Sequence, residues 1–168
     1  MKKHTHFAVI TTAALFSAAF AFADMNAADV LNTLHQTDRM EIHMGMMAQD
    51  KGSTSDVKDY GKTLVSDHQD NDKKVTDLAA KEGITLKSAK PGIMDEMEMK
   101  HLKSLSGSDF DQKFAKEMIN DHKSNIAKLQ SAQASTKLPD DVRQLVADTL
   151  PALQKHLETA QKIYGQPS

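Results

Sequence analysis

The sequence predicts an all-α protein: an antiparallel four-helix bundle with a short extra helix in the connection between helices two and three. Three observations point there. Apolar residues recur at helical spacing in four long stretches. Strand signals are missing, with aromatic residues at only 5% and no convincing apolar–polar alternation. Gly52, Gly83, Gly107, Pro139 and Gly165 fall between or at the ends of the periodic stretches.

The 168 residues suit one domain behind a leader. Met1-Lys2-Lys3-His4 is a basic start, Phe7 to Phe22 is an apolar run, and Ala21-Phe22-Ala23 is a small-x-small pattern. Together they predict a secretory signal peptide over 1–23, cleaved after Ala23, with the mature domain at 24–168 in the periplasm. Nothing after Ala23 is long and apolar enough to span a bilayer. The net charge is −2, with 26% of residues charged. That balance lacks the basic footprint of a nucleic-acid binder. With no cysteine, stability must come from core burial rather than disulfides, and any metal must be held by His, carboxylate or Met.

Helix one runs from about Asn26, its cap, to Asp50, with Val30, Leu31, Leu34, Glu41, Met44 and Ala48 on its inner stripe. After the Gly52-Ser53-Thr54 break, Ser53-x-x-Asp56 is a capping-box pattern opening helix two, whose stripe is Val57, Tyr60, Leu64, His68, Val75 and Leu78. Gly83 is placed to end it. In the connection from Ile84 to Gly107, Pro91 can start a short helix carrying Met94, Met97, His101, Leu102 and Leu105. Helix three opens at Ser108-x-x-Asp111, with Phe110, Phe114, Met118, Ile119, His122, Ile126 and Leu129 inward. Pro139 and Asp140 open helix four, whose stripe is Val142, Leu145, Val146, Leu150, Leu153, His156, Leu157, Ala160 and Ile163. Pro151 inside it removes a backbone donor and should bend it, and Gly165 and Pro167 end it.

Tyr60 to Asn71 aligns with Phe114 to Asn125, and both segments contain Asp-His-x-x-Asn. Two helices therefore carry the same inward polar chemistry. Of eight histidines, His68, His122 and His156 each fall on the apolar stripe of a different long helix, and Glu41 falls on the stripe of the remaining one. A bundle core disfavours each of these groups unless it is hydrogen-bonded or ligates a metal. One inward polar residue per helix is how bundle metal sites are built. Counting from the turns, Glu41 and His68 differ in depth by about 6 Å, and so do His122 and His156; side chains leaning toward their own helix N-termini close both gaps. Glu41, His68, His122 and His156 are thus expected to hold one divalent transition ion (Zn, Fe, Mn or Cu), with Asp38 and His35 as alternates one turn away. Asp67 and Asp121 are either acceptors for an imidazole N–H on a neighbouring helix or solvated carboxylates. Met40, Met44, Met46 and Met47 cluster with His43, and Met94, Met97 and Met99 near His101; these are core filler or a thioether site for Cu(I).

An ordered set of residues carries a resemblance. It comprises the leader, Glu41 followed by Gly45 and Ala48, Val57-Lys58, Ser66-Asp67-His68, Leu105-Ser-Gly-x-Asp-Phe110-Asp111, Asn120-Asp121-His122, and Leu150-Pro151-Ala-Leu-Gln-Lys-His156-Leu157. Over essentially the whole mature chain it resembles an exported ferritin-like family of unknown function often labelled "predicted outer membrane protein". The resemblance implies a ferritin-like four-helix fold and no established activity. Di-iron ferritin-like enzymes use Glu-x-x-His pairs, whereas Val65, Ile119 and Leu153 stand three residues before these histidines and Met44 three after Glu41. Iron storage and ferroxidase activity are therefore not expected, and neither a barrel nor a lipobox cysteine supports the outer-membrane label. The functional expectation is a periplasmic metal-binding bundle in metal handling or envelope stress. Its alternative is a structural or interaction protein with a metal-free buried histidine network, and an enzyme with an open metal position ranks last.

Overall fold

The computed structural model describes residues 25–89 and 93–165, with side chains from residue 96 onward in the second stretch. The predicted leader with its cleavage point, Pro91 as a helix opener, the side chain of Met94, and Pro167 lie outside them. Five helices and no strand make up the described chain: α1 (Ala27–Lys51), α2 (Ser55–Lys81), α3 (Ile93–Ser104), α4 (Gly107–Gln133) and α5 (Asp140–Tyr164).

The helix ends show which local signals hold. Asn26 and Asp29 form a complete capping box at the start of α1, each side chain meeting the other's backbone N–H. Gly83 follows α2 in the left-handed region, at φ 66°. The bonds Gly83 N–H to the Ala80 carbonyl and Ile84 N–H to the Ala79 carbonyl complete a Schellman motif there. Two expected caps are corrected. Thr54, not Ser53, caps α2, its hydroxyl accepting from the Val57 N–H. Helix α4 begins at Gly107, and its N-cap, Ser106, makes no side-chain cap bond. The residues thus released bond each other: Asp111 accepts from the Ser53 N–H at 2.9 Å and from its hydroxyl at 2.6 Å. A carboxylate satisfied by two donors across the fold outcompetes a local cap, and it pins the α1–α2 turn to the start of α4.

Helix α1 packs along α2, and α4 along α5; the two pairs meet chiefly through α2 against α5 and, to a lesser extent, α1 against α4. Helices α1 and α2 approach backbone to backbone at two glycines. A Cβ on Gly45 would lie 2.7 Å from the Gly61 carbonyl oxygen, and one on Gly61 2.6 Å from that of Gly45.

The core divides into two apolar clusters. One gathers Met44, Ala48, Val57, Leu64, Phe110, Phe114, Met118 and Ile163 with neighbours that include Met99 and Leu102 of α3. The other gathers Val30, Leu31, Val75, Leu129, Val142, Val146 and Leu153 with their neighbours. Along α1 and α5 the second cluster precedes the first; along α2 and α4 the order reverses. The predicted stripes are buried almost throughout, with only Leu78, Ile119, Ile126 and Leu157 at their half-exposed edges. Helix α5 runs unbroken through Pro151, whose side chain is exposed.

Replacing Gly45 or Gly61 by alanine should lower stability. The steric conflict with an opposing backbone, on the order of 1–3 kcal/mol, outweighs the ~1 kcal/mol gain in helix propensity. Thermal unfolding followed by circular dichroism should show a melting temperature several degrees lower for each variant; an unchanged or raised value would mean that the helices slide apart at no cost.

Candidate metal centre

Between the two apolar clusters lies a layer of polar side chains. Helix α1 contributes Asp38 and Glu41, α2 His68, α4 His122 and α5 His156, all exposed by 2% or less. Their depth follows from the helices: each polar residue sits where its own stripe passes from one apolar cluster to the other. His68, His122 and His156 each offer a ring nitrogen, and these lie within 4.8 Å of one another. The ring centroids are 5.2 Å apart for His68 and His156, 5.3 Å for His122 and His156, and 6.1 Å for His68 and His122.

Each imidazole is tethered on one nitrogen. His68 Nδ1 lies 2.8 Å from Asp38 Oδ1, His122 Nδ1 2.9 Å from the Met118 carbonyl, and His156 Nε2 2.8 Å from Asp67 Oδ2. A carbonyl only accepts and a carboxylate accepts when ionised, so these partners assign the N–H to the tethered nitrogen of each ring. The lone pair is then left on His68 Nε2, His122 Nε2 and His156 Nδ1. These three nitrogens are buried and have no hydrogen-bond partner among the described residues. Orphaned buried acceptors are costly, and three together with tethered opposite nitrogens are the arrangement of metal-ligating histidines. The donor set fits a borderline transition ion: three imidazole nitrogens with a carboxylate nearby.

The tethers themselves are anchored. Asp38 also accepts from Asn71 Nδ2 at 2.8 Å, and the Thr149 hydroxyl lies 2.9 Å from Asn71 Oδ1. The Tyr60 hydroxyl donates to the backbone carbonyl of His156 at 3.0 Å, fixing the turn of α5 that carries the ring. Asp67 keeps 43% of its side chain exposed while holding His156, so it links the buried layer to solvent.

Glu41 stands apart from the nitrogen cluster. Its Oε1 lies 3.6 Å from His122 Nδ1, the nitrogen tethered to Met118, its Oε2 has no partner, and it is not among the donors within 4.8 Å of one another. Of the alternates, Asp38 serves as the His68 acceptor, and His35 pairs with Asp72 at 2.6 Å near the surface. Asp67 fulfils the expectation of bonding an imidazole on a neighbouring helix; Asp121 lies half-buried, and its charge acts on Glu41. Sequence reasoning missed the roles of Asn71, Thr149, Tyr60 and the Met118 carbonyl. Asn71 alone left a signal, as the last residue of the repeated Asp-His-x-x-Asn. That repeat brings equivalent residues face to face, with the Tyr60 and Phe114 rings 5.9 Å apart. Among the described methionines, Met44, Met47, Met99 and Met118 belong to one apolar cluster with Met40 packed against it, while Met46 and Met97 face solvent.

Burial dominates the electrostatics. It pushes His122 down to about 3, aided by His156, and lowers His156 against the pull of Asp67. Burial also works against a charged His68, but the Asp38 hydrogen bond and the charges of Glu41, Asp38 and Asp67 outweigh it and raise the group. Burial raises Asp38 as well, so the Asp38–His68 pair holds its shared proton tightly. Glu41 is pushed up to about 7 by burial, with His68 opposing and Asp121 and Asp38 reinforcing.

A model of a domain of unknown function, DUF4142, matches residues 12–163. No curated protein matches the chain. Among solved structures, the crystal structure of a DUF305 fragment from Deinococcus radiodurans superposes with a TM-score of 0.74 at 12% identity, covering 83% of this chain and 95% of that one. CopM in its Cu(II)-bound form superposes with a TM-score of 0.68 at 16% identity, covering 83% of this chain and 96% of that one. At these identities the likeness is one of fold.

The Glu41 shift has a testable sign. A carboxyl with a folded pKa near 7 and an unfolded value of 4.5 favours the folded state below pH 4.5, and that contribution is lost as pH rises through 7. In the metal-free protein, Glu41→Gln should therefore change stability little at pH 4.5 and raise it by about 3 kcal/mol at pH 8. Urea unfolding in the presence of a chelator reads both; a variant less stable than wild type at pH 8 would refute the burial of an ionised Glu41.

Proposed function

We propose that this chain, which belongs to the DUF4142 family, is an exported metal-binding protein that holds one divalent transition ion on His68, His122 and His156. The observation that carries the reading is the set of three buried ring nitrogens, lone pairs inward, whose partner nitrogens are all tied back to the protein. A metal-free hydrogen-bond network accounts for the tethered nitrogens but leaves the inward three unsatisfied. Glu41, predicted as the fourth ligand, stands beside His122 and outside the grouped nitrogens, and burial makes it hold its proton more tightly than an ordinary carboxyl; it supplies a carboxylate near the ion, and binding a dication there releases that proton. Nitrogen donors place Cu(II) and Zn above Fe and Mn. The shared fold with CopM, solved with Cu(II), supports testing copper first.

The helix directions deduced from the two apolar clusters fit an antiparallel four-helix bundle of ferritin-like type, in which α3 is an addition to the connection between α2 and α4. The leader predicted at residues 1–23 directs the domain to the periplasm, where the role consistent with a single enclosed site is to buffer or carry an envelope metal rather than to turn over a substrate.

Purified protein loaded with Cu(II) or Zn and desalted should retain a single ion per chain by elemental analysis, and a His68→Ala/His122→Ala variant should retain none. Loading at about 100 times the dissociation constant should add about 2.7 kcal/mol of stability, read as a rise in melting temperature that a chelator reverses. Asp38→Asn should weaken binding by about 10- to 100-fold while leaving the ligands in place. If metal content is the same in wild type and double variant, or melting ignores both metal and chelator, the histidines form a metal-free network.

A further inference from the structure

We propose that the ion reaches the histidines through the cleft between α2 and α5, drawn in by Asp70 and Asp148 on its rim; the proposal rests on the metal-binding reading above. The cleft is a cavity of about 240 Å³ lined by Asp67, His68, Asp70, Asp148, Ala152 and His156, among others. The two histidines in its wall are the decisive feature. They are 2% and 1% exposed, and His68 Nε2 and His156 Nδ1 are the partnerless nitrogens described above.

Other hollows near the layer do not compete. The smallest, of about 10 Å³, lies beside Asp38, Asn125 and Thr149. A cavity must offer roughly 10–15 Å³ to admit even one water, so this one passes no hydrated ion. Another of about 30 Å³ lies beside Met44, Glu117 and Asp121. A larger hollow of about 520 Å³ is lined by Arg39, Lys100 and Lys103 against one carboxylate, Glu96, with Met40, His43 and Met99. The excess of positive charge in its wall disfavours a cation. None of these three is lined by a site histidine. The α2–α5 cleft, at about 240 Å³, has the volume to hold an ion with several of its waters.

Its charge suits a cation. Asp67, Asp70 and Asp148 line it against one lysine, Lys74. A recess with one dominant sign of charge and low-dielectric walls raises the local concentration of counter-ions and speeds association. Asp67 lines the cleft, partly in solvent and bonded to His156 Nε2, so an ion in the cleft meets a carboxylate beside the His156 ring. Asp70 and Asp148 lie farther out and exposed, where they can act only on the approach.

Stopped-flow mixing of the metal-free protein with Co²⁺, followed by its ligand-field absorption, tests the route. The Asp70→Asn/Asp148→Asn variant should load several-fold more slowly at low ionic strength, converge with wild type at about 1 M salt, and end with the same spectrum. Ala152→Phe, which narrows the cleft, should slow loading and release about equally and leave the dissociation constant within about twofold. The charge variant alters only exposed side chains, so it reads the route even if Ala152→Phe fails to fold. Loading rates equal to wild type at low salt in the charge variant overturn the route while leaving the site intact. A wild-type protein that develops no Co²⁺ spectrum removes the site and the route together.

Discussion

Three imidazoles tethered outward and open inward, in a layer between two apolar clusters, govern the structure of this protein. Placing them there removes polar groups from water, a cost of several kcal/mol unless each finds a partner. The outward nitrogens find theirs in Asp38, Asp67 and the Met118 carbonyl. The inward nitrogens find none among the described residues. An interior built only for stability would fill this layer with leucine, as the layers above and below it are filled with apolar side chains.

The scaffold is arranged so that these side chains have little freedom. The Gly45–Gly61 approach sets the distance between α1 and α2, and so the reach from Asp38 to His68. The Ser53–Asp111 bonds tie the α1–α2 turn to the head of α4, bringing the two helix pairs to a common height. Tyr60 then holds the backbone of α5 at His156. Side chains carried on long helices and locked by such supports are held in fixed geometry, the preorganisation that lowers the ordering cost of any binding event.

Electrostatics in the layer follow the same logic. Burial keeps His122 and His156 neutral, in the form that binds a metal, and holds Glu41 near its titration midpoint at neutral pH. Acid works against His122 and His156 from the unfolded side: a histidine whose folded pKa is depressed charges first in the unfolded chain, so the contribution of these two falls as pH drops below about 6.5, while the raised His68 and Glu41 act with the opposite sign. The exposed part of Asp67 is the one place where a tether meets solvent, in the wall of the cleft between α2 and α5.

Residue order alone determined the helical class, the inward stripes and the selection of Glu41, His68, His122 and His156 as buried polar groups, because a period of 3.6 residues states which side of a helix faces inward. It also located the ends marked by Asn26 and Gly83, where the capping groups lie within a few residues of each other. It did not determine the cap of α2 or the start of α4, because Ser53 and Asp111 have each other as better partners across 58 positions of sequence. Nor did it separate the carboxylate that tethers a ring from the one that does not. Glu41 and Asp38 lie on the same face of α1 one turn apart, and only the packing of α1 against α2 and α4 decides that Asp38 meets His68 while Glu41 rests beside His122. Helical periodicity specifies direction, but the distance between side chains on different helices is set by tertiary packing, and a metal centre is defined by that distance.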